Sequence, residues 1–344
     1  MIATTMRAIV AIGIVAATAA TARAEGAPVL LRMATAAPEG TAWAREGHSF
    51  ERDVAELTHG QVRMKWYLGG IAGNELQMLE RIKREQLDGV ASAGMLCAKL
   101  APSMRALRIV GLFQSRDESA FVSGRLKDTF DEELLHAGFV NLGEMGIGPD
   151  IIFSNTPLTS FEDLKKTRMW IWDLDDVFRE QLTAMGLTLV PRPLETAFSD
   201  REHGMFDGFI AVPTAALAFQ WSTQVHYFTE LRPSFLRGCI LIASRAFDQL
   251  SVEGQRSVRQ AAARTIARME VIGREQDDAL LGGLFAKQGV KHVPVSEFFR
   301  AEFFATAQAA RERLGDKLVA HSLLLRVLGM LADYRAVHRG VEER

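Results

Sequence analysis

Residues 62–93 read VRMKWYLGGIAGNELQMLERIKREQLDGVASA, and this stretch decides the fold. Val62, Met64 and Trp66 alternate with Arg63, Lys65 and Tyr67, the period of a half-buried strand. Asn74, with Gln77 three residues on, forms a capping-box pair that opens a helix carrying Leu76, Leu79 and Ile82. Residues 89–93 are small and read as another strand. Upstream, 29–34 is a short apolar strand and Pro38-Glu39-Gly40-Thr41 a turn. Trp43, Gly47, Phe50, Val54 and Leu57 then recur at helical spacing up to His59-Gly60. Strand, helix, strand, helix, strand requires parallel pairing through crossover helices, so the fold class is α/β.

Moving outward, 139–142 and 150–153 read as strands and Ser160 opens a short helix. Residues 168–172 form a strand, 175–185 a helix closed by Gly186, and 187–190 a strand. The α/β rhythm has restarted, which places a second lobe from about residue 150. Residues 238–244 are an apolar strand. From 252 to 287 there is no proline, and polar and apolar residues mix at helical period. This reads as one long helix bent at Gly273. At about 35 residues it would run roughly 50 Å, too long for one lobe, so it is expected to lie across both. Two more amphipathic helices follow, at 298–314 and 322–338.

The chain has 344 residues, enough for about two domains. With 48% hydrophobic and 24% charged residues it is not a disordered chain. Forty Lys+Arg against 42 Asp+Glu give a net charge of −2, so no basic excess points to nucleic acid or an anionic membrane surface. Repeats of solenoid length are absent. Residues 1–24 carry an Arg, an apolar run over 8–20 and Ala22-Arg23-Ala24, the pattern of a secretory signal peptide cleaved before Glu25. Its apolar run is shorter than the roughly 20 residues that span a bilayer. Losing Arg7 and Arg23 takes the charge from −2 to −4. Export would permit a disulfide between the two cysteines, Cys97 and Cys239. Their apolar surroundings read instead as those of small buried hydrophobes, and the pairing stays open.

Motifs for catalysis and cofactors are missing. There is no His-Glu-x-x-His, no cysteine pair at zinc spacing, no Gly-x-Ser-x-Gly elbow, no phosphate loop and no dinucleotide fingerprint. Asp173, Asp175 and Asp176 read as a helix N-terminus rather than a metal site. His203 and Asp207 lack a nucleophile beside them. The chain is therefore read as no enzyme, with no cofactor and no metal.

Several segments in order resemble a known family. They are Met33-Ala34-Thr35 with Pro38-Glu39-Gly40, then 69–75 (GGIAGNE) with Met78, then Gln86-Leu87-Asp88-Gly89. Pro157-Leu158 with Phe161-Glu162-Asp163-Leu164-Lys165 follows, then Met185-Gly186, Val190-Pro191, Pro193-Leu194 and Phe206-Asp207-Gly208. Together they are similar to the periplasmic substrate-binding proteins of tripartite ATP-independent periplasmic (TRAP) transporters, the dicarboxylate-type branch. The resemblance implies a two-lobed, type II-like periplasmic binding protein with crossing hinge strands and a long helix spanning both lobes. It implies the division 1–24 leader, 25–149 plus about 237–272 lobe I, and 150–236 plus about 273–344 lobe II. It also implies a periplasmic location and a TRAP membrane permease as partner.

In that family, members that bind acids hold the ligand carboxylate with an arginine in the strand after the Asp-Leu-Lys segment, a two-bond fork that needs a planar guanidinium. Here that position is Trp170, with Arg168 two residues earlier. The polar run that follows the Asp-Gly turn in those members is 209–213, FIAVP, wholly apolar. The resemblance is thus to a divergent branch with a Trp-rich strand, for which a hydrophobic ligand and a tetratricopeptide-repeat partner have been proposed. Burying an unpaired carboxylate costs several kcal/mol, whereas a Trp removing about 200 Å² from water gains roughly 5 kcal/mol as an upper figure. The expected ligand is therefore hydrophobic or aromatic. The expected contacts are Trp170, Trp172, Phe209, Pro213, Trp43, Met95 and Phe113, with Arg168 as the alternative holder of an acid head group. Two rival readings stay beside this one: a permease-independent carrier of lipid-like molecules, and a carboxylate receptor built on Arg168.

Overall fold

The computed structural model describes residues 27–342, so the expected leader at 1–24 lies outside the described residues. Eleven strands are present among them: β1 (Val29–Ala34), β2 (Val62–Tyr67), β3 (Gly89–Ser92), β4 (Phe139–Pro149), β5 (Ile151–Ser154), β6 (Met169–Trp172), β7 (Leu189–Arg192), β8 (Gly208–Ala211), β9 (Tyr227–Thr229), β10 (Phe235–Ala243) and β11 (Lys291–Val293). They form two sheets, ordered β2-β1-β3-β10-β4 and β11-β9-β5-β8-β6-β7. In the first, β1 runs parallel to β2 and β3, as the strand–helix–strand reading requires. In the second, β6 runs parallel to β7 and β8. The fold is α/β and two-lobed.

Two strand connections cross between the sheets. The first leaves β4 at Pro149 and enters β5 at Ile151, and the second runs from β9 into β10. They touch where the Asp150 amide donates to the Ser234 carbonyl at 2.9 Å. In the first sheet β4 and β10 pair antiparallel from Phe235↔Pro149 to Ala243↔Phe139.

One short motif occurs in each lobe, Arg32-Met33 with Asp88-Gly89 and Arg168-Met169 with Asp207-Gly208. The Arg32 guanidinium donates to Asp88 at 2.8 and 3.0 Å, and that of Arg168 to Asp207 at 2.8 and 2.8 Å. In both lobes the aspartate amide returns a 2.8 Å bond to the arginine carbonyl. The following glycine admits no side chain. A Cβ on Gly89 would lie 2.4 Å from the Leu241 carbonyl and 2.6 Å from the Met33 sulfur, and one on Gly208 would lie 2.4 Å from the Phe153 carbonyl and 3.0 Å from the Met169 sulfur. The fork therefore ties two neighbouring parallel strands together at the point where the second of them, β3 or β8, begins.

The helix Val252–Ala279 opens on Ser251, whose side chain accepts from the Gly254 amide. Its 28 residues extend about 42 Å. Val258, Ala261 and Ala262 pack in the core of the first lobe, and Leu280, just beyond its end, packs in the second. The bend expected at Gly273 is not there. The helix passes through Gly273 unbroken and yields at Leu280–Leu284, where Gly283 takes φ 150°.

The C-terminal helix His321–Glu342 departs from the expected lobe division. Val327 and Leu331 pack with Leu107, Phe130 and Leu134 in the first lobe. Arg105 donates to the Leu318 carbonyl at 2.7 Å, and Arg335 to Glu118 at 2.7 Å. The chain thus returns to the first lobe after the helix Glu297–Leu314, whose Phe299 and Phe303 serve the second. Cys97 and Cys239 are joined in a disulfide that closes a loop across 142 residues. The reading of both as separate buried hydrophobes is corrected on that point, although both are buried.

Candidate functional site

Between the lobes lies a cavity of about 160 Å³. Its walls come from the carboxyl ends of strands: Thr35 after β1, Leu68 after β2, Ala93 after β3, and the ends of β6 and β8. That is where open parallel sheets present ligand sites. The long helix closes one side with Thr265 and Met269.

The protein has five tryptophans. All five line this cavity: Trp43, Trp66, Trp170, Trp172 and Trp221. Each arrives by its own local device. Thr41 caps the helix Ala42–Leu57 by accepting from the Ala44 amide, which sets Trp43 in its first turn. Trp66 ends the alternation of β2. Trp170 and Trp172 share one face of β6 by period 2. Trp221 opens a short turn after Gln220, which takes φ 60°. Trp221 meets Trp170 edge-on at 4.9 Å between centroids, and Phe219 stacks on it at 5.2 Å. Glu75 holds the loop before Met95, accepting from Ser92 Oγ at 2.7 Å and from the Ala93 and Leu96 amides at 2.6 and 2.7 Å. Burial pushes the Glu75 carboxyl up, against those bonds.

Among the residues lining the cavity, Arg108 carries the one positive charge. It is already engaged. Its Nε donates to Asp175 Oδ2 at 2.7 Å, and its Nη1 donates to Asp150 and to Ser234 Oγ, the latter at 2.9 Å. Its guanidinium also lies 3.9 Å from the centre of the Phe178 ring. Burial alone would lower the Arg108 pKa, but the charges of Asp150 and Asp175 outweigh it and hold the group above its ordinary value. Burial pushes the Asp150 carboxyl up, with Arg108 pulling the other way. Glu46, the remaining lining acid, accepts from Arg268 at 2.6 Å. The cavity therefore offers indole and phenyl surface and no free cation.

The structure brings Trp43, Met95, Trp170 and Trp172 together on the lining. It places the other expected contacts elsewhere. Phe209 sits one layer behind, stacked on Phe153 at 4.8 Å, while its neighbours Ile210 and Ala211 reach the cavity. Pro213 is buried in the first turn of the helix Pro213–Ala218, and Val212 and Ala215 line in its place. Phe113 belongs to the first-lobe core, on the side facing the helix Glu297–Leu314. Arg168 is half-exposed, tied to Asp207 and to the Gly204 carbonyl at 3.0 Å, and is the second-lobe counterpart of Arg32. The carboxylate clamp on Arg168 is therefore corrected, because its fork is filled by the strand-opening aspartate. Sequence reasoning missed Trp66, Trp221, Arg108 and Asp150. Asp175 was read as a helix cap and is one, accepting from the Phe178 amide at 3.3 Å, but it also receives Arg108.

Residues 33–317 match the family described as bacterial extracellular solute-binding protein, family 7. A solute-binding protein of Chromohalobacter salexigens is 20% identical over 216 residues, 62% of this chain and 64% of that protein, so the match spans less than two thirds of the relative. A TRAP periplasmic solute-binding protein from Desulfovibrio desulfuricans with bound sn-glycerol-3-phosphate is similar at TM-score 0.81 and 18% identity, over 89% of this chain and 97% of the other. A sugar acid binding protein from Advenella mimigardefordensis in complex with galactonate reaches 0.82 at 18% identity, over 89% and 99%. A TRAP periplasmic solute-binding protein from Chromohalobacter salexigens with bound d-glucuronate reaches 0.78 at 18% identity, over 87% and 99%. These likenesses establish the fold. The family comprises solute-binding transport proteins rather than enzymes. With its match running through nearly all the described residues, the chain belongs to the bacterial extracellular solute-binding proteins of family 7.

Proposed function

We propose that this protein is a periplasmic receptor that captures a small hydrophobic or aromatic ligand between its lobes and delivers it to a TRAP membrane permease. One observation carries the reading: all five tryptophans line one cavity whose only cationic side chain is bound by two carboxylates. The acids bound in the similar structures belong to those proteins. In this chain a carboxylate entering the cavity would meet Asp150 and Asp175 with no unengaged guanidinium to offset them, and like charges this close repel strongly in a low-dielectric site. Ring surface removed from water against indole supplies the opposing, favourable term.

The test is native mass spectrometry of the protein purified from its own periplasm, followed by extraction and identification of any retained molecule. A ring compound or other largely apolar molecule is the expected finding. A water-soluble sugar acid or diacid, retained and lost on Trp170→Ala, overturns the reading.

A further inference from the structure

We propose that the groove between the helices Glu297–Leu314 and His321–Glu342 is a second binding site, for an amphiphile with one anionic head and an unbranched apolar chain. It does not depend on what the cleft binds. The groove measures about 1110 Å³ and shares no lining residue with the cleft. On the first helix Arg300, Phe304, Gln308 and Arg311 line it, at the spacing of one helical stripe. That stripe runs beside the face of Phe299, Phe303 and Ala307, which packs in the second-lobe core. On the second helix the lining stripe is Leu324, Leu325 and Leu328, beside Val327 and Leu331 of the first-lobe core. Leu325 is 55% exposed and Leu328 37%. An apolar chain laid along these leucines and Phe304 would take that surface out of water, and it would touch both lobes.

Charge selects the head. Arg311 is half-buried, and among the described residues its side chain makes no ion pair or hydrogen bond. Its nitrogens are nevertheless open to solvent. Burial lowers its pKa, and its one charged neighbour, Glu312, accepts from Gln308 at 2.9 Å. The other arginines of the groove differ. Arg335 is held by Glu118 at 2.7 Å and Arg232 by Glu230, while Arg300 is exposed. A half-buried guanidinium without a counter-charge is met best by an anion, through charge-assisted bonds. The turn Gly315–Lys317 follows Arg311 closely and joins the two helices, so the groove is closed at that end. A protein segment could not run through it. A molecule with its charge at one end, its chain lying back along the leucines, fits.

The experiment is equilibrium dialysis of the intact protein against octanoate, decanoate, octan-1-ol and octylammonium. The binding lost in Leu328→Asp is the groove's, which separates it from anything taken up in the cleft. Leu325→Asp, at the more exposed position, defines the same portion independently. In that portion octanoate is expected to bind about fivefold tighter than octan-1-ol, with octylammonium weakest. Decanoate is expected to bind about tenfold tighter than octanoate, as two more methylenes on a partly open wall imply. Arg311→Gln should bring the octanoate to octan-1-ol ratio close to one and leave octan-1-ol unchanged. That ratio is read within one variant, so a general loss of stability does not mimic it. Equal binding of octanoate and octan-1-ol, or a preference that survives Arg311→Gln, overturns the anionic head. Binding that neither leucine substitution reduces, or no binding of either acid, overturns the site.

Discussion

Arg108 donates to Asp175 at 2.7 Å across the floor of the cleft, although Arg108 packs with the first lobe and Asp175 caps a helix of the second. The same guanidinium reaches Asp150 and Ser234, one in each of the two strand crossings, and lies on the Phe178 ring. A single side chain thus ties both crossings to the second lobe. It also neutralises part of the acidity it brings together, which is why it is not available to a ligand.

Removing that side chain should leave two buried carboxylates unpaired. Arg108→Met is expected to cost about 3–5 kcal/mol, the range for breaking a buried pair from one side. Arg108→Lys should recover only part, because a single ammonium nitrogen cannot stand at both the Nε and the Nη1 positions from which Arg108 reaches Asp175 and Asp150. Urea unfolding of the three proteins at neutral pH measures the order.

The two Arg–Asp forks should respond unequally. Asp88 is buried and also receives Arg245 at 3.2 Å, whereas Asp207 and Arg168 are both half-exposed. Arg168→Ala is expected to shift the urea midpoint little and to leave ligand affinity unchanged, since exposed pairs contribute little. Arg32→Ala should shift it clearly more. A loss of affinity confined to Arg168→Ala would restore the acid-binding reading.

Asp277, on the long helix, pairs with Arg116. Burial raises its pKa to about 6, against the pull of Arg116. The folded protein therefore holds this proton more tightly than the unfolded chain, where an aspartate titrates near 3.9. The favourable contribution is complete below about pH 4 and is lost as pH rises through about 6. Relative to Asp277→Asn, the wild type should lose on the order of 1–3 kcal/mol between pH 4.5 and 7.5. Parallel unfolding series at those two pH values read the difference directly, and a constant gap would remove Asp277 as the source.

The disulfide between Cys97 and Cys239 should matter to stability. Closing a loop of 142 residues constrains the unfolded chain, for a gain of about 5 kcal/mol as an upper figure. Cys97→Ala with Cys239→Ala should unfold at lower urea by up to that amount. Reductant should move the wild type toward the variant and leave the variant unmoved.

Intrinsic fluorescence offers a direct reporter. Because every tryptophan lines the cavity, an occupant should change both intensity and emission wavelength. Trp43→Phe, which keeps four reporters, should retain a response. A molecule that binds without any change in emission is bound elsewhere.

Much of the architecture was legible locally. The helix Glu75–Lys83 could be placed because Asn74 and Gln77 form a complete capping box, which the structure shows bonded in both directions. β2 could be placed because Val62 and Met64 alternate with Arg63 and Lys65. Periodicity tells which face a residue takes but not which layer lies beyond that face. Phe209 was expected at the cavity from its place after the Asp207-Gly208 turn, by resemblance to the family, and packs instead against Phe153. Arg108, Asp150 and Asp175 stand 42 and 67 residues apart, and each has a sufficient local reading of its own. Nothing in the chain order brings them together before the crossings form. The doubled Arg-Met and Asp-Gly pairs were visible in the sequence, and a comparison of the two halves would have assigned Arg168 its structural task.

That doubling has a practical consequence. After each fork the strand runs directly into the wall, reaching Thr35 and Ala36 in one lobe and Trp170 and Trp172 in the other. Scaffold and specificity are thereby separated by one or two positions along the same strand. An engineer wishing to recast the protein as a sensor for a different analyte could vary the half-buried 172 while holding Arg168, Met169, Asp207 and Gly208 constant, and keep a large apolar side chain at the buried 170 so that the variants still fold.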